Sequence, residues 1–554
     1  MIIKEKQIQN KEYNFDLCII GSGHSALPIA LNLVNSNINI CIIPGGSNRI
    51  SNILQSTYDG KTNIKNNSLQ KHRLRVIGGT SKIWGGRCLP LKDIDFKTRG
   101  YVKNSGWPIK KEELEKYYKK TASFLDIGDP DFDCMSLKSK FTYLIEGFNN
   151  QNVTTNEIEK FSLPTDFSKK FKKKLIASND ITIFDNSSLI EIEYNKKNNS
   201  VNKFYCKSLN GNNFSITATN YVLAAGGIEN ARILLHRFNF SRKYTCGNKY
   251  NNVGKYFMSH FSGIIGKIIF EKNIKVNNSY EFCKKNVYSR RRISISNNAQ
   301  LKNKILNFSA FLHHSPIEDP THKDGLLSLI FILKNLRYFS HRIPPEYSKS
   351  LSSARFDLKY YFPHIKNIFI DLYKLIPTLL YIFKKRFIDR RKLPSIITGI
   401  SNNELFIHYH VEHEPLKSNY IKLSDDYDIF GLKKVYVHLS PSKKDIQSII
   451  TSHKIIDKEL KKQKKGKLLF IYKDQIQAIK NQIGFGGHLI GTTRMSNNYM
   501  TGVVDKNCKI HGMNNFYVAG SSVFPTGGEA NPVFTIIALS LRLSEHLREK
   551  YRNE

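Results

Sequence analysis

The fold is decided by residues 15–43, FDLCIIGSGHSALPIALNLVNSNINICII. Their pattern predicts a buried strand, a glycine turn, a helix and a second strand, as in a doubly wound α/β fold. Gly21 permits the tight turn, Gly23 lets the backbone approach a pyrophosphate, and Ala26 keeps the helix close to the sheet. The start of the helix offers free N–H groups to phosphates. The sequence therefore predicts a dinucleotide site at this turn, with these candidate residues: Gly21, Ser22, Gly23, His24 and Ser25.

The second strand lacks the acidic residue that commonly binds a ribose hydroxyl in such folds. The strand ends Ile42-Ile43-Pro44, followed by two glycines. Either other groups hold the ribose or the adenosine end binds less tightly. The alternative is a Rossmann-like core that has lost its nucleotide.

Four more segments are candidates for the nucleotide site, and the glycine pairs of the first suit a backbone that packs against a flat ring system. Residues 75–91 place one glycine pair before the first tryptophan and one after it, and Trp107-Pro108 precedes an amphipathic segment. Residues 220–235 read as a strand, a glycine turn and a helix begun near Asn230, and residues 187–194 read as a strand. The candidate cofactor-binding residues here are Gly79, Thr80, Ser81, Trp84, Gly85, Gly86, Leu189, Ala225 and Gly226.

The C-terminal stretch, residues 486–547, carries the candidate chemistry. It runs GGHLIGTTRMSNNYMTGVVDKNCKIHGMNNFYVAGSSVFPTGGEANPVFTIIALSLRLSEHL. His488 lies in a glycine-flanked turn, and the FYVAGSS segment reads as a strand that ends in a turn of small residues. Asn531 and Pro532 open an apolar helix, where proline is tolerated.

Together these motifs resemble the glucose-methanol-choline (GMC) oxidoreductases, and most closely their bacterial sugar and polyol dehydrogenases. The resemblance implies an α/β fold in which a Rossmann-like FAD-binding domain joins a substrate domain built on an antiparallel sheet. It adds Gly520, Ser521, Asn531 and Pro532 to the residues that would contact FAD. Some relatives attach their flavin covalently through a histidine before the motif tryptophan. Ile83 occupies that position here, which implies noncovalent FAD.

The resemblance also implies how the reaction would proceed. A base takes the proton of a substrate hydroxyl while the carbon's hydride reaches flavin N5. His488 matches the family's catalytic histidine, and the pKa of histidine suits a base. Asn531 matches a second position that holds histidine or asparagine, and its amide can hold the substrate oxygen. The implied function is an FAD-dependent oxidoreductase acting on CH–OH groups, with an alcohol or carbohydrate substrate.

The predicted domains are discontinuous. The FAD-binding domain is placed at residues 12–110, 181–262 and 481–550, and the substrate-binding domain at residues 111–180 and 263–480. Residues 404–439 alternate apolar and polar side chains at the period of a strand. Three histidines lie there: His408, His410 and His413. Substrate contacts or surface positions explain them better than a metal does, because no set of carboxylate or thiolate partners accompanies them. His260 is interpreted as a structural histidine at a domain junction.

Residues 324–395 form an unusual basic insert in the substrate domain. Apolar and aromatic residues recur at helical spacing, basic clusters flank them, and Pro363 and Pro377 are expected to interrupt the helices. Such a helix can lie in an anionic membrane interface, which would make a lipid-linked substrate reasonable. A helical pair packed on the protein itself explains the same spacing.

The formal charge of +39 is consistent with a membrane surface, nucleic acid or compositional drift. No zinc-finger, RNP or other nucleic-acid motif is present, so no specific nucleic-acid partner is expected. The cysteine pattern and the N-terminus favour a cytoplasmic protein, either free or peripheral on the inner face of the membrane. Oxygen, a quinone or a carrier protein would each fit as electron acceptor. The alternative functions are a surface-binding protein with a degenerate flavin fold and a flavin-dependent lyase or isomerase.

Overall fold

The fold was analysed in a computed structural model, which describes the chain except for residues 66, 140, 196, 237–245, 336–357, 397–402 and 554 and the side chains of 358–360. The strands in this part of the chain are β1 (Ile2–Ile3), β2 (Glu12–Ile20), β3 (Ile40–Ile43), β4 (Gly60–Thr62), β5 (Arg87–Cys88), β6 (Val153–Thr154), β7 (Ile158–Phe161), β8 (Ile181–Phe184), β9 (Ser187–Asn195), β10 (Ser200–Ser208), β11 (Asn213–Leu223), β12 (Phe261–Phe270), β13 (Glu281–Phe282), β14 (Tyr288–Arg291), β15 (Ile293–Ile295), β16 (Phe308–His313), β17 (Glu404–Val411), β18 (Tyr420–Tyr427), β19 (Lys433–His438), β20 (Gly466–Phe470) and β21 (Phe516–Val518).

The α-helices of the same residues are α1 (Ala26–Leu33), α2 (Asn52–Gln55), α3 (Asp93–Phe96), α4 (Glu112–Glu115), α5 (Tyr118–Leu125), α6 (Phe167–Lys170), α7 (Lys172–Ala177), α8 (Gly227–Leu235), α9 (Asn297–Asn303), α10 (Gly325–Asn335), α11 (Leu358–Ile370), α12 (Leu372–Phe383), α13 (Lys443–Lys462), α14 (Gln475–Asn481) and α15 (Val533–Asn553). A π-helical turn, Lys384–Ile388, follows α12. None of the described helices combines the length and the apolarity that a membrane crossing requires.

The largest sheet is built around the predicted strand–turn–helix unit. Its eight strands run in the order β1-β8-β3-β2-β11-β10-β9, and β21 adds to the C-terminal end of β11. Parallel pairing joins β1, β8, β3, β2, β11 and β21, whereas β10 pairs antiparallel with both of its neighbours, β11 and β9. β3 and the second half of β2 are buried on both faces, as their unbroken apolar sequences predict. The parallel strands therefore end at one edge, where a dinucleotide can bind.

The second large sheet has six strands in the order β20-β12-β17-β16-β15-β6. All of its pairings are antiparallel. Helix α13 packs against this sheet, and the two share an apolar core that is separate from that of the eight-stranded sheet. A four-stranded and a three-stranded sheet complete the described sheets, in the orders β13-β14-β7-β5 and β18-β19-β4. Strands predicted in residues 404–439 are confirmed, but they divide between the six-stranded and the three-stranded sheet. The Rossmann-like α/β fold with an antiparallel second sheet is thus confirmed.

The position of several helices differs from the predicted domain ranges. Side chains of α4 to α7, which the prediction assigned to the substrate domain, pack in the core of the eight-stranded sheet. Tyr117 and Tyr118 contact α15, the last helix of the FAD-binding range. Burial against that helix explains the difference, because no local pattern shows which sheet an amphipathic helix covers. The domain boundaries stay a prediction.

The insert contains helices that continue through both prolines. Pro363 lies inside α11 and Pro377 inside α12, so the expected interruption is wrong. Tyr361 and Leu375 pack against Phe331 of α10 and its neighbours in a small core of their own. This packing maintains the helices although each proline removes one backbone hydrogen bond. Residues 336–357 of the predicted insert lie outside the described residues.

Candidate active site

The turn between β2 and α1 is built as the glycine spacing predicts. Gly21 has a φ of +110°, and a Cβ there would lie 2.4 Å from the carbonyl oxygen of Ala224 on the neighbouring strand. The Gly21 amide donates to the carbonyl of Ile43 at 2.8 Å, which ties the turn to β3. A Cβ on Gly23 would meet no atom of the protein within 4 Å. Gly21 is therefore fixed by packing, whereas Gly23 faces open space in front of the helix.

A cleft of about 1380 Å³, counting the solvent at its mouth, lies over this turn. Of the predicted cofactor residues, those that line it are Gly21, Ser22, Gly23, His24, Ser25, Gly79, Thr80, Leu189, Ala225, Gly226, Gly520, Ser521 and Pro532. Those outside its lining are Ser81, Trp84, Gly85, Gly86 and Asn531.

Two of the residues outside the lining support the wall instead. The Ser81 hydroxyl donates to the carbonyl of Gly78 at 2.7 Å and accepts from the amide of Phe167 at 3.0 Å. The Trp84 ring stands 4.7 Å from the His24 ring, and its indole N–H donates to Thr165 at 2.9 Å. Both side chains are thus engaged in holding the segment that carries Gly79 and Thr80.

His24 is a buried histidine that faces the cleft. Burial lowers its pKa to about 4, so the ring is neutral at pH 7. Its Nε2 is buried and has no hydrogen-bond partner among the described residues. An unpaired buried ring nitrogen is costly, and a bound cofactor would supply its partner. The open space at Gly23 and at Gly226, where a Cβ again meets nothing within 4 Å, fits a dinucleotide lying against the backbone.

An arginine stands where the ribose-binding acid was missing. Arg75 donates to the carbonyl of Gly45 at 2.9 Å, to the Thr57 hydroxyl at 2.8 Å and to the Ser188 hydroxyl at 2.8 Å. Arg75 therefore bridges the end of β3 to the start of β9 and lines the cleft. The sequence pattern did not indicate that Arg75 joins these two strands, although it comes three residues before the motif glycine pair.

A second arginine cluster lies beside it. Arg73 pairs with Glu229 of α8 at 2.8 Å, and Arg232 of the same helix pairs with Asp428 at 2.5 Å. Burial raises the pKa of Glu229, but Arg232 and Arg73 more than reverse this effect and hold it below its usual value. Asp428 lies in the turn between β18 and β19, where the Gly431 amide donates to its carbonyl at 3.0 Å. The strand pattern of residues 404–439 does not indicate that this turn lines the cleft.

The two candidate catalytic residues are in contact. Asn531 Nδ2 lies 2.9 Å from His488 Nε2, and His488 lines the cleft. His260, expected to be a structural histidine, is also here. Its Nδ1 lies 2.7 Å from His488 Nδ1, and its Nε2 lies 2.9 Å from the carbonyl oxygen of Gly528. Burial lowers the pKa of His260 to about 4.

His410 of β17 completes the group of histidines. Its ring centre lies 4.5 Å from that of His260, and its Nδ1 lies 2.7 Å from the carbonyl oxygen of Glu529. Burial, and then His260, hold its pKa well below the usual range. His413 is also buried, in contact with Asn419 at 3.1 Å. Surface positions for these two histidines are therefore wrong: His410 lies in β17, an inner strand of its sheet, and His413 follows that strand and packs against Asn419.

Ring nitrogens of His260, His410 and His488 lie within 4.8 Å of one another, a spacing that a metal ion could bridge. Five of the six nitrogens already bond to each other, to Asn531 or to backbone carbonyls. A metal would have to break these bonds. The absence of a metal site stays our prediction.

The turn that carries these carbonyls, residues 526–531, is held from three sides. Trp107 donates its indole N–H to the Thr526 hydroxyl at 2.8 Å. The Glu529 carboxylate pairs with Arg292 and with Lys92, the latter at 3.5 Å. Burial raises the pKa of Glu529, but Arg292 and Lys92 overcome this and place it at about 2. The ionised carboxylate thus anchors the backbone that orients both histidines.

Comparison with known proteins concerns the C-terminal region and the fold. Residues 415–540 match the family model described as GMC oxidoreductase. No curated protein matches the chain. Its fold is similar to that of pyridoxine 4-oxidase from Mesorbium loti, at 12% identity and a TM-score of 0.53, over 97% of this chain and 99% of that one. A fungal aryl-alcohol oxidase is similar at 12% identity and 0.54, over 98% and 100%.

A formate oxidase also shares the fold, at 15% identity and a TM-score of 0.51, over 98% of this chain and 99% of that one. At such low identities these structures establish the fold, and the family match establishes the C-terminal region that holds His488 and Asn531. Residues 415–540 of this protein therefore carry a GMC oxidoreductase domain, and the whole chain shares its fold with the three oxidases. Together these findings support an FAD-dependent oxidoreductase acting on CH–OH groups.

Proposed function

We propose that this enzyme oxidises an alcohol or carbohydrate hydroxyl with His488 as base and Asn531 holding the substrate oxygen. The observation that carries the proposal is a chain of hydrogen bonds from Gly528 through His260 and His488 to Asn531. The chain leaves the Nε2 lone pair of His488 directed toward Asn531, at the end of the cleft.

The proton positions follow from the fixed end of this chain. The Gly528 carbonyl can only accept, so His260 must carry its proton on Nε2. Because burial keeps His260 neutral, its Nδ1 is a bare acceptor. His488 must then donate from Nδ1, which leaves its Nε2 unprotonated in the neutral ring. This nitrogen accepts from the Asn531 amide, so the four groups are mutually consistent.

A substrate hydroxyl would replace the direct contact between His488 and Asn531. Its oxygen can accept from Asn531 Nδ2 while its proton is donated to His488 Nε2, so both groups keep a partner. The hydroxyl proton then passes to Nε2 as the alcohol is oxidised. FAD, when bound, accepts the hydride from the carbon of that alcohol. His260 acts as a positioning residue, because it fixes the tautomer of His488 without reaching the substrate.

The His488→Ala variant tests this proposal. FAD should stay bound, and bleaching of the flavin absorbance by an alcohol or sugar should be lost. His438→Ala, a histidine of β19 outside the cleft lining, is the matched control and should bleach normally. Near-normal bleaching by His488→Ala would refute the assignment. Turnover by the wild type without any bleaching would favour the lyase or isomerase alternative.

We propose noncovalent FAD, because Ile83 stands at the position of the attachment histidine. Acid precipitation should therefore leave the yellow flavin in the supernatant. Flavin that stays in the protein pellet would contradict this. A colourless protein that does not take up added FAD would favour a degenerate flavin fold.

We further propose that residues 324–395 contact an anionic membrane surface from the cytoplasmic side. A peripheral position would suit a lipid-linked alcohol or carbohydrate, and it would suit a quinone acceptor as well as oxygen or a carrier protein. Support comes from the basic clusters and the helical spacing of this insert.

A further inference from the structure

Exposed large apolar side chains are concentrated in one short part of the described chain. Of the 29 that are exposed among the described residues, 13 lie between positions 362 and 388. They are Phe362, Ile365, Phe369, Ile370, Leu372, Tyr373, Ile376, Leu379, Leu380, Tyr381, Phe383, Phe387 and Ile388. Single exposed apolar residues are ordinary, but a continuous group of this size marks an interaction surface. We call residues 362–388 the apolar hairpin.

The apolar hairpin is attached to the protein by its other side. His364 stacks on Phe331 of α10 with ring centres 4.1 Å apart. Asn367 donates to the carbonyl of Pro320 at 2.8 Å, and Asp371 accepts from the amide of Gly325 at 2.8 Å. These contacts hold α11 against α10, and Leu375 of α12 packs into the same small core. The exposed apolar side chains of both helices are therefore on the sides that the protein does not cover.

The surroundings of the exposed face are strongly basic. Residues 361–395 contain Asp371 and Asp389 as their acidic residues and eight basic ones: Lys366, Lys374, Lys384, Lys385, Arg386, Arg390, Arg391 and Lys392. Asp371 caps α10, and Asp389 pairs with Lys385 at 2.8 Å. The basic residues thus greatly outnumber the carboxylates that could neutralise them.

Charge decides between two occupants of this face. A second copy of the chain would bring the same basic cluster against itself, on a protein with a formal charge of +39. An anionic lipid surface supplies the opposite charge and an apolar layer beneath it. At about 1.5 Å per residue, α11 and α12 each extend about 20 Å, less than the roughly 30 Å of a bilayer core. The pair suits the plane of the interface.

We propose that the apolar hairpin inserts its exposed side chains into the acyl boundary of an anionic bilayer, with both helices in the membrane plane. This rests on the proposed membrane contact of the insert and narrows it to residues 362–388. It does not depend on the chemistry proposed for His488. Leu393, just after the apolar hairpin, packs on Phe161 and Tyr288 of the four-stranded sheet. This contact attaches the end of the apolar hairpin to the rest of the protein.

Vesicle flotation of the full FAD-loaded protein tests the proposal. Wild type should float with vesicles containing phosphatidylglycerol, bind pure phosphatidylcholine less, and be released in part by 0.5 M salt. Phe369→Ser, Leu380→Ser and Phe387→Ser together should abolish flotation, since these side chains are 71, 67 and 68% exposed. The matched control changes three exposed apolar residues elsewhere, Ile53, Leu301 and Ile476, to serine and should float normally.

The charge contribution is tested separately. Lys384→Gln with Arg390→Gln should weaken binding to anionic vesicles about 30-fold, or roughly fivefold per residue. Lys454→Gln with Lys458→Gln, both exposed on α13, should leave it unchanged. All of these variants should keep their flavin absorbance and their bleaching by a soluble substrate, because none of the changed residues lines the cleft.

Three results would overturn the proposal. They are a wild type that does not float at low salt, a serine triple variant that floats like wild type, and a wild-type dimer that the triple variant converts to monomer without any vesicle binding. The last result would assign the face to self-association. Loss of bleaching in His488→Ala with normal flotation concerns the catalytic proposal alone, so the two failures are distinguishable.

Discussion

Replacing His260 by phenylalanine should slow substrate oxidation without removing FAD. Phenylalanine keeps a ring beside His410 but has no acceptor for His488 Nδ1, now bonded at 2.7 Å. A buried N–H without a partner costs about 1–3 kcal/mol. Since about 1.4 kcal/mol corresponds to a factor of ten, the productive tautomer and the rate of flavin bleaching should fall about 5- to 150-fold.

The conservative variant separates this effect from general disruption. Asparagine can place an amide oxygen where His260 Nδ1 lies, so His260→Asn should retain a rate within about fivefold of wild type, the worth of one hydrogen bond. Stopped-flow bleaching under anaerobic conditions measures the rate, and a pH series measures its acidic limb. Other titratable or charged side chains that interact electrostatically with His260, and so bear on this limb, include His410, Glu529 and Arg87.

In the wild type, the His260 acceptor favours the imidazolium form of His488 over the neutral ring. His260→Phe removes this acceptor, so His488 is protonated less readily and the acidic limb should move to lower pH. A merely structural role for His260 would lower the rate without this movement. The reasoning is refuted if His260→Phe bleaches at the wild-type rate. It is also refuted if the phenylalanine and asparagine variants are slowed equally with unchanged pH profiles.

Two further predictions concern the cleft and its anchor. Gly23→Val should keep the Tm of the apo-protein, because its side chain meets only open space, but should lose FAD, because it occupies the space in front of the helix. Gly21→Ala should lower both the Tm and FAD binding, since its Cβ would lie 2.4 Å from Ala224. Thermal shift with and without FAD measures these changes, and normal FAD binding by Gly23→Val would contradict the prediction. The pKa of Glu529, about 2 against a usual 4.5, lies below the unfolded value, so its stabilisation is complete above pH 4.5 and is lost as pH falls toward 2. Because other buried carboxylates such as Glu229 also have lowered pKa values, both proteins should lose stability in acid, but wild type should lose about 3 kcal/mol more unfolding free energy in that window than Glu529→Gln. Equal acid slopes in both proteins, measured by denaturant titration, would show that Glu529 is not the cause of the difference.

Features set by short sequence spacing could be predicted. Gly21 and Gly23 act through one turn, and the helix that follows begins within five residues of them. His488 and Asn531 were both identified from one C-terminal segment. Their roles, like the antiparallel second domain, followed from the family resemblance, whereas their direct contact is seen only in the structure. Whether Ser81 or Trp84 would face the cleft or support its wall could not be predicted, because side-chain direction depends on the packing of Phe167 and Thr165 from a distant segment.

The third histidine shows why the rest of the site could not be predicted. His260 and His488 are 228 positions apart, and they meet because Met258 and Ile490 pair in an antiparallel bridge. The register of β12 with β17 brings His410 to the same place. No periodicity in either segment encodes that register. The same holds for Arg75, whose three partners come from three different segments. A basic residue next to a motif glycine is a usable signal only when its partners are known.

The charge of the site indicates what kind of substrate it accepts. Beneath the histidines, positive and negative groups nearly balance, since Arg292 and Lys92 face Glu529 and Glu157, while Arg87 and Arg290 share Glu159. A site built for an anion would instead leave several buried cations unpaired, because burial of a lone charge is costly. We therefore expect neutral hydroxyl compounds to be better substrates for this site than acids. Because these buried charges are largely paired, the formal excess of +39 is expected mainly on the surface, and eight basic residues lie in positions 361–395 around the apolar hairpin. The membrane proposal thus rests on surface charge, whereas the expected substrate preference rests on buried pairs such as Glu529 with Arg292.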